Sequence, residues 1–207
     1  MAFIEDNLIG AIRSTSDTLL KCMMIVTAVE FCGSILTAKT GSGNTKKNFL
    51  AFWQSRYMPE IYHGTGELLY DILRNGVSHS FIAKGGVIPS ANTAGSEKHM
   101  RFFNQGVFVY VPKLAEDIIG GIQNFLKDVI ENKDLKDNYN LIISELQRSG
   151  KAIYDDFVKN NKIETSSEHI QGDIRPDVTH LTLIDPNAVT GSAFVQIFPT
   201  ETGQPDR

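Results

Sequence analysis

Apolar residues recur at three- and four-residue steps through much of this chain, and this spacing constrains its fold more than any other feature. In the N-terminal stretch FIEDNLIGAIRSTSDTLLKCMMIVTAVEFCGSILTA these positions are Leu8, Ile12, Leu19, Met23, Val26 and Val29. Residues three or four apart lie on one face of an α-helix, so the stretch predicts one helix or two consecutive helices. The segment KTGSGNT that follows is rich in Gly, Ser and Thr and predicts a loop between helices.

Two further helical segments follow this loop. The first is expected to end at Pro59, because the residue before a proline is pushed out of the α region. Its aromatic residues at helical spacing, which we predict to pack in the core, are Phe49, Phe52, Trp53 and Tyr57. The second segment, ELLYDILRNGVSHSFI, predicts a long helix with the apolar residues Leu68, Leu69, Ile72, Leu73 and Val77.

The remaining sequence combines short strand patterns with two more helices. The runs VIP and VFVYV, separated by a polar connection, predict a β-hairpin insertion at about residues 86–111. Two helices then follow, separated near NKDLKDN. The first is amphipathic, with the apolar residues Ile118, Ile122, Phe125, Leu126 and Val129. Turn residues and the short apolar runs HLTLI and AFVQIF suggest an irregular tail with short strands from about residue 162.

These patterns predict a mainly α protein, an up-down bundle of about four to five helices with the small β-hairpin insertion. With 207 residues and 42% hydrophobic content, the chain is long enough to bury one core. We therefore divide it into a helical domain at 1–161 and a C-terminal extension at 162–207. The net charge of -4 argues against nonspecific coating of nucleic acid, because that affinity comes from many Lys and Arg residues.

The cysteines and the longest apolar run bear on the compartment. Cys22 and Cys32 lie ten residues apart in one predicted helix, too far apart for a disulfide, so we predict two reduced, buried thiols. The run CMMIVTAVEFC is too short to cross a bilayer and carries Glu30 near its end. We therefore expect a soluble, cytoplasmic protein without membrane association.

Arg74, Asn75 and His79 are polar residues within the otherwise apolar second long helix. On an ideal helix Asn75 and His79 lie one turn apart on the same face, and the long side chain of Arg74 can reach the same point. Imidazole can transfer a proton near neutral pH, and guanidinium binds phosphate oxygens in a fork. RNA cleavage needs a base and an acid at once, and a two-fold dimer would supply two copies of each group.

These residues occur in the order R-N-G-V-S-H. This order resembles the motif of the HEPN superfamily, in which a polar residue directly follows an arginine and a histidine comes after four to six intervening residues. The intervals 56–63 and 175–180 also fit the Arg-to-His spacing, but each contains a proline. The resemblance implies an all-α core over roughly residues 2–160. It also implies a homodimer that forms through the helices bearing the motif. The implied activity is that of a metal-independent endoribonuclease in a defence or toxin–antitoxin system. An antitoxin or a nucleotidyltransferase is the kind of partner that it suggests.

Within this hypothesis each residue of the motif has a role. His79 is the general acid or base, Arg74 stabilises the negative charge on the phosphate, and Asn75 orients the imidazole or binds the phosphate. RNA phosphates are expected to contact Lys46, Lys47 and Lys84. The five histidines are scattered, without a Cys or carboxylate pair at ligand spacing, so we predict no metal and no cofactor.

Other interpretations of the same residues stay open. Arg74 and Asn75 could solvate the end of a helix, and the chain would then be a noncatalytic dimerisation or interaction protein. A nucleotide-binding module, with the GSGNTKK loop closing over a phosphate, is a third possibility, although the loop lacks the Gly-Lys-Ser/Thr of a P-loop. Glu30 could pair with Arg74 if their helices are neighbours, or it could be a solvated surface residue.

Overall fold

The structure, a computed structural model, describes residues 4–74, 76 and 85–165. Its α-helices are α1 (Gly10–Ser14), α2 (Thr18–Thr37), α3 (Thr45–Trp53), α4 (Gly66–Leu69), α5 (Val111–Glu131) and α6 (Lys133–Asn160). Its strands are β1 (Gly86–Ser90), β2 (Phe102–Phe103) and β3 (Gly106–Tyr110). Two π-helical turns, Ile4–Ile9 and Tyr70–Arg74, complete the elements that matter below. The prediction of a mainly α protein is confirmed, with more and shorter helical segments than expected and a three-stranded sheet.

Helix α2 lies at the centre of the protein and packs against α3, α5 and α6. The carboxylate of Asp17 caps its first turn by accepting a hydrogen bond from the backbone N–H of Leu20 at 2.8 Å. Its last turn ends at Ala38, which adopts the left-handed conformation (φ 53°) typical of a helix C-terminus. Both cysteines lie in α2 and are buried free thiols, as predicted.

The length and apolar composition of α2 are also those of a membrane-spanning helix. No other helix among the described residues has both properties, and 50% of an 18-residue apolar stretch of α2 is buried inside the protein. The core helix of a soluble protein can have the same length and apolar composition. These two properties therefore do not distinguish a core helix from a membrane-spanning helix. The expectation of a soluble protein stays a prediction.

Helices α2 and α3 cross with their backbones in close approach. Gly33 faces Asn48 at the crossing, and a Cβ atom at Gly33 would lie 1.7 Å from the backbone oxygen of Asn48. The Asn48 side chain is buried. Its Nδ2 donates to the Lys39 carbonyl at 3.0 Å, and its Oδ1 accepts from the Thr37 hydroxyl at 2.6 Å. The crossing thus fixes both the position of α3 and the chain that leaves α2.

The helix predicted to end at Pro59 ends earlier, at Trp53. The Ser55 hydroxyl donates to the Phe52 carbonyl at 2.7 Å, a local hydrogen bond of the kind that competes with helix continuation. The aromatic side chains of α3 pack in the core as predicted, and the fully buried ones are Phe49, Phe52 and Trp53. The next predicted long helix begins as α4 and continues as the π-helical turn Tyr70–Arg74.

The predicted β-hairpin at 86–111 is wrong in its strand pairing. Strand β1 pairs with β3 in parallel, and the short strand β2 pairs with β3 antiparallel, so the sheet is mixed with the order β1-β3-β2. The connection between β1 and β2 contains the 3-10 segment Thr93–Lys98, capped by Asn92. This segment gives the chain enough length to return to the starting end of the sheet, which a parallel pairing requires.

The two C-terminal helices match the prediction. The apolar face of α5 is buried against α2 and α6, and it contains Ile118, Ile122, Phe125, Leu126 and Val129. The break near NKDLKDN is Asn132, whose side-chain oxygen caps α6 by accepting from the backbone N–H of Asp134 at 2.9 Å. Most of the predicted extension, residues 166–207, lies outside the described part of the chain.

Candidate functional site

A cleft of about 410 Å³ opens between α2, the loop that follows it and the beginning of α3. It is within the size range of small-ligand sites. Its lining combines polar and apolar side chains: Val26, Thr27, Glu30, Phe31, Ser34, Thr40, Gly41, Thr45, Asn48, Arg74 and Leu146. Arg74 is the basic residue of this lining, and it comes from the motif that the sequence singles out.

Arg74 is held at the wall of the cleft by Glu30. Its Nε donates to Glu30 Oε2 at 3.2 Å, across the contact between α2 and the turn Tyr70–Arg74. The two side chains are 22% and 25% exposed, so solvent screens the pair only in part. The sequence left open whether Glu30 pairs with Arg74 or is solvated, and the structure shows the pair. A guanidinium fixed in this way beside a solvent-accessible cleft can bind a phosphate or carboxylate oxygen.

Tyr70 links Arg74 to the beginning of α3. The Arg74 guanidinium lies 5.8 Å from the centroid of the Tyr70 ring, within the range of a cation–π contact. The Tyr70 hydroxyl is 2.7 Å from Thr45 Oγ1. Lys46 Nζ also lies 5.8 Å from the ring centroid. One aromatic ring therefore positions the cleft arginine and ties the turn that carries it to α3.

Two of the lysines predicted to contact RNA lie on α3. Lys46 is half-buried next to the cleft, and its Nζ is 3.1 Å from Asp71 Oδ2 and 3.8 Å from Glu67 Oε2. The hydrogen bond that Lys46 donates to Asp71 raises the pKa of Lys46, so Lys46 stays positively charged but interacts with two carboxylates. Lys47 is exposed and does not line the cleft. The other predicted site residues, Asn75, His79 and Lys84, lie outside the described residues.

Thr40 lines the cleft but was not among the site residues predicted from the sequence. Thr40 Oγ1 donates to Glu145 Oε2 of α6 at 2.5 Å, and this bond ties the loop after α2 to α6. The loop KTGSGNT was the available signal, since binding residues often lie on loops, and the sequence related it only to a nucleotide phosphate. Thr40 and Arg74 are far apart in the sequence, so no local pattern indicates that both line the same cleft.

Groups of metal ligands are also absent from the part of the chain that the structure describes. No three His, Cys, Asp or Glu residues in that part come together in a way that could hold a metal ion. Burial raises the pKa of the Cys22 thiol to about 12 and that of Cys32 further, so neither is a reactive thiolate at neutral pH. The prediction of a metal-free site stays a prediction.

A second polar cluster joins the sheet to α5. The backbone N–H of Tyr110 donates to His99 Nδ1 at 3.0 Å, so neutral His99 carries its proton on Nε2. That Nε2–H donates to the Tyr62 hydroxyl at 2.8 Å, and Tyr62 donates to Asp117 Oδ2 at 2.6 Å. Lys113 donates to the other oxygen of Asp117 at 2.6 Å. Each of these groups is satisfied within the cluster, so we assign it to docking the sheet and not to catalysis.

Acidification is expected to weaken this cluster. Burial lowers the pKa of His99 below its ordinary value, although Asp117 opposes the shift. Unfolded His99 thus takes up a proton at a higher pH than folded His99, so stability is complete above about pH 6.5 and falls as the pH drops below it. We expect urea unfolding to show a stability gap between wild type and His99→Gln that is largest near neutral pH and narrows on acidification. A difference in stability between wild type and His99→Gln that is the same at neutral and at acidic pH would contradict this assignment.

Comparison of the chain with protein-family models, with curated proteins and with solved structures finds no match. The geometry of the cleft around Arg74 and Glu30 therefore has to carry the functional argument.

Proposed function

We propose that this protein is a metal-independent endoribonuclease of the HEPN type, with Arg74 as its phosphate-binding group. The observation that carries the proposal is the Arg74–Glu30 pair at the wall of the cleft. A partly buried arginine is costly to desolvate, and here it is paired with Glu30 and lines a cavity that admits solvent. Charge near a cavity is the arrangement that phosphate binding requires.

The proposed reaction uses the 2′-hydroxyl of the RNA as its nucleophile. His79 of one protomer removes the 2′-hydroxyl proton, O2′ forms a bond to phosphorus, and the P–O5′ bond breaks. His79 of the partner, protonated beforehand, gives its proton to the leaving O5′. The products are a 2′,3′-cyclic phosphate and a 5′-hydroxyl. Arg74 stabilises the charge that develops on the non-bridging oxygens, and Asn75 orients the imidazole.

Glu30 contributes by positioning Arg74. Because Arg74 Nε bonds to Glu30, the guanidinium plane is fixed before substrate arrives, and less conformational entropy is lost when phosphate binds. Tyr70 restrains the same side chain from a second direction. In this proposal Lys47, which is exposed on α3, attracts the RNA backbone by charge. Homodimerisation, a cytoplasmic location and a cognate antitoxin or nucleotidyltransferase belong to the same proposal, as does a bundle of the HEPN type.

The test is RNA cleavage in the presence of EDTA by wild type and by His79→Ala. We expect wild type to cut and to leave 5′-hydroxyl and 2′,3′-cyclic phosphate ends. We expect His79→Ala to cut at least about 100-fold more slowly, because proton transfer supplies about that much of the rate. Circular dichroism melts confirm that both proteins are folded. Equal rates would remove His79 from the mechanism, and activity that EDTA abolishes would place the chemistry at a different site.

A further inference from the structure

The C-terminal half of α6 leaves the body of the protein with an apolar face exposed. The buried residues of α6 all lie before its midpoint, and they are Tyr139, Ile142 and Ile143. The large exposed apolar side chains of its second half are Leu146 (50% exposed), Ile153 (68%), Tyr154 (52%) and Phe157 (58%). Isolated helical segments are only marginally stable in water, so a partner packed on this face would stabilise the second half of α6.

These side chains follow a heptad pattern. Ile143, Leu146, Gly150, Ile153 and Phe157 are separated by alternating steps of three and four residues, which places them in one stripe along the helix. Ile143 belongs to the core, so the stripe begins inside the body of the protein and continues into solvent. A Cβ atom at Gly150 would meet nothing within 4 Å, so the stripe has an open gap at its middle.

The stripe is complementary to itself when two copies run antiparallel. In an antiparallel pair each residue of one heptad core position faces one of the other core position in the partner helix. Leu146 then faces Phe157 of the second copy, and Gly150 faces Ile153. The most exposed apolar side chain thereby enters the gap that glycine leaves. Two-fold symmetry repeats both contacts, so the gap and the large residue are matched twice.

The polar residues beside the stripe fit the same alignment. The flanking positions of an antiparallel pair bring Ser149 of one copy opposite Asp156 of the other, where a hydroxyl can donate to a carboxylate. Lys151 and Asp155 are already paired with each other within the helix and lie away from the stripe. The alignment therefore brings no like charges together across the seam.

We infer that α6 is a self-association surface, through which two copies of this chain pair antiparallel along the stripe Leu146–Phe157. Each copy contributes only three large exposed apolar side chains to the stripe, which is a small contact area, so we expect a dimer that dissociates on dilution. Leu146 also lines the cleft that contains Arg74. The pairing thus brings the end of the second copy's α6 to the rim of the cleft. α6 is a different surface from the Arg74-bearing segment through which the proposed nuclease dimerises, so pairing along α6 does not depend on RNA cleavage.

The test is the molar mass of the full chain, measured by light scattering over a dilution series. We expect wild type to be a dimer when concentrated and Ile153→Asp to raise the dissociation constant at least about 30-fold, since the charge would be buried unpaired. Leu141→Asp is the matched control. Leu141 is also exposed (45%) on α6 but lies off the stripe, so this variant is expected to dimerise like wild type. A monomeric wild type, or equal dimerisation of wild type and Ile153→Asp, would overturn the inference.

Disulfide cross-linking tests the alignment. The double variant Gly150→Cys/Ile153→Cys is expected to form a covalent dimer on mild oxidation, and Gly150→Cys by itself is expected to cross-link poorly. The native cysteines are buried and do not compete. Equally strong cross-linking by Gly150→Cys by itself would indicate a parallel pair and would overturn the antiparallel alignment.

Discussion

Gly33→Ala is expected to destabilise this protein by about 3 kcal/mol or more, one of the largest effects that a single methyl group can have here. The added Cβ would lie 1.7 Å from the carbonyl oxygen of Asn48 and 2.4 Å from its carbonyl carbon. Both atoms belong to the backbone of α3 and cannot rotate away, so α2 and α3 would have to separate. Separation would also strain the bonds from the Asn48 side chain to Lys39 and Thr37.

A matched substitution separates this steric effect from helix propensity. Gly120→Ala in α5 places its Cβ where no atom lies within 4 Å, so it is expected to stabilise the protein by about 0.5–1 kcal/mol, as alanine does within a helix. Urea unfolding followed by circular dichroism measures both changes. A midpoint for Gly33→Ala equal to that of wild type would show that α2 and α3 do not pack as closely as described.

The features predicted well from the sequence are those with a local cause. The apolar face of α5 recurs within four residues, so its burial can be inferred without knowing what covers it. Asn132 lies between two such patterns and has the side chain of a good helix cap, which marks the start of α6. The aromatic residues of α3 were placed in the core for the same reason.

The features predicted poorly depend on partners that are distant in the sequence. VIP and VFVYV both have strand composition, but composition does not say which direction the pairing takes, and β1 pairs with β3 in parallel. The early end of α3 is the exception, because its cause is local: the Ser55 hydroxyl bonds to the Phe52 carbonyl, whereas Pro59 was the more visible signal. Local patterns identify elements, and long-range contacts decide how they pair.

The residues of the candidate site also differ in whether a local sequence pattern could identify them. Arg74 could be singled out because a charged residue interrupts an apolar helical pattern. Whether Glu30 pairs with Arg74 was left open by the sequence, and the structure decides it: the two residues are 44 positions apart and meet because α2 and the turn Tyr70–Arg74 are neighbours. Thr45 and Asn48 line the same cleft from α3. None of these relations has a sequence pattern of its own.

Arg74→Ala is expected to lower the rate of RNA cleavage about 100- to 1,000-fold, the usual cost of removing one group that stabilises a developing negative charge. The substitution also leaves the Glu30 carboxylate without the guanidinium, at a position that is 25% exposed. We therefore expect a loss of about 1 kcal/mol in stability, too little to unfold the protein. A defect in cleavage that is much larger than the defect in folding is the signature of a catalytic role.

Two further arginine substitutions sharpen this expectation. Arg74→Lys keeps the charge but loses the fork and the Nε bond to Glu30, so its rate is expected to lie between those of wild type and Arg74→Ala. Arg56→Ala is the matched control. Arg56 is exposed and bonds to Asp128 on α5, and it does not line the cleft, so its loss is expected to change the rate by no more than about twofold.

The measurement that bears most directly on the role of the cleft is the single-turnover cleavage rate of one RNA in EDTA, for wild type, Arg74→Ala and Arg56→Ala. The melting curve of each protein is recorded alongside. We predict that wild type and Arg56→Ala cleave at similar rates and that folded Arg74→Ala is at least about 100-fold slower. A folded Arg74→Ala that cleaves as fast as wild type would contradict the assignment of this cleft to phosphate binding.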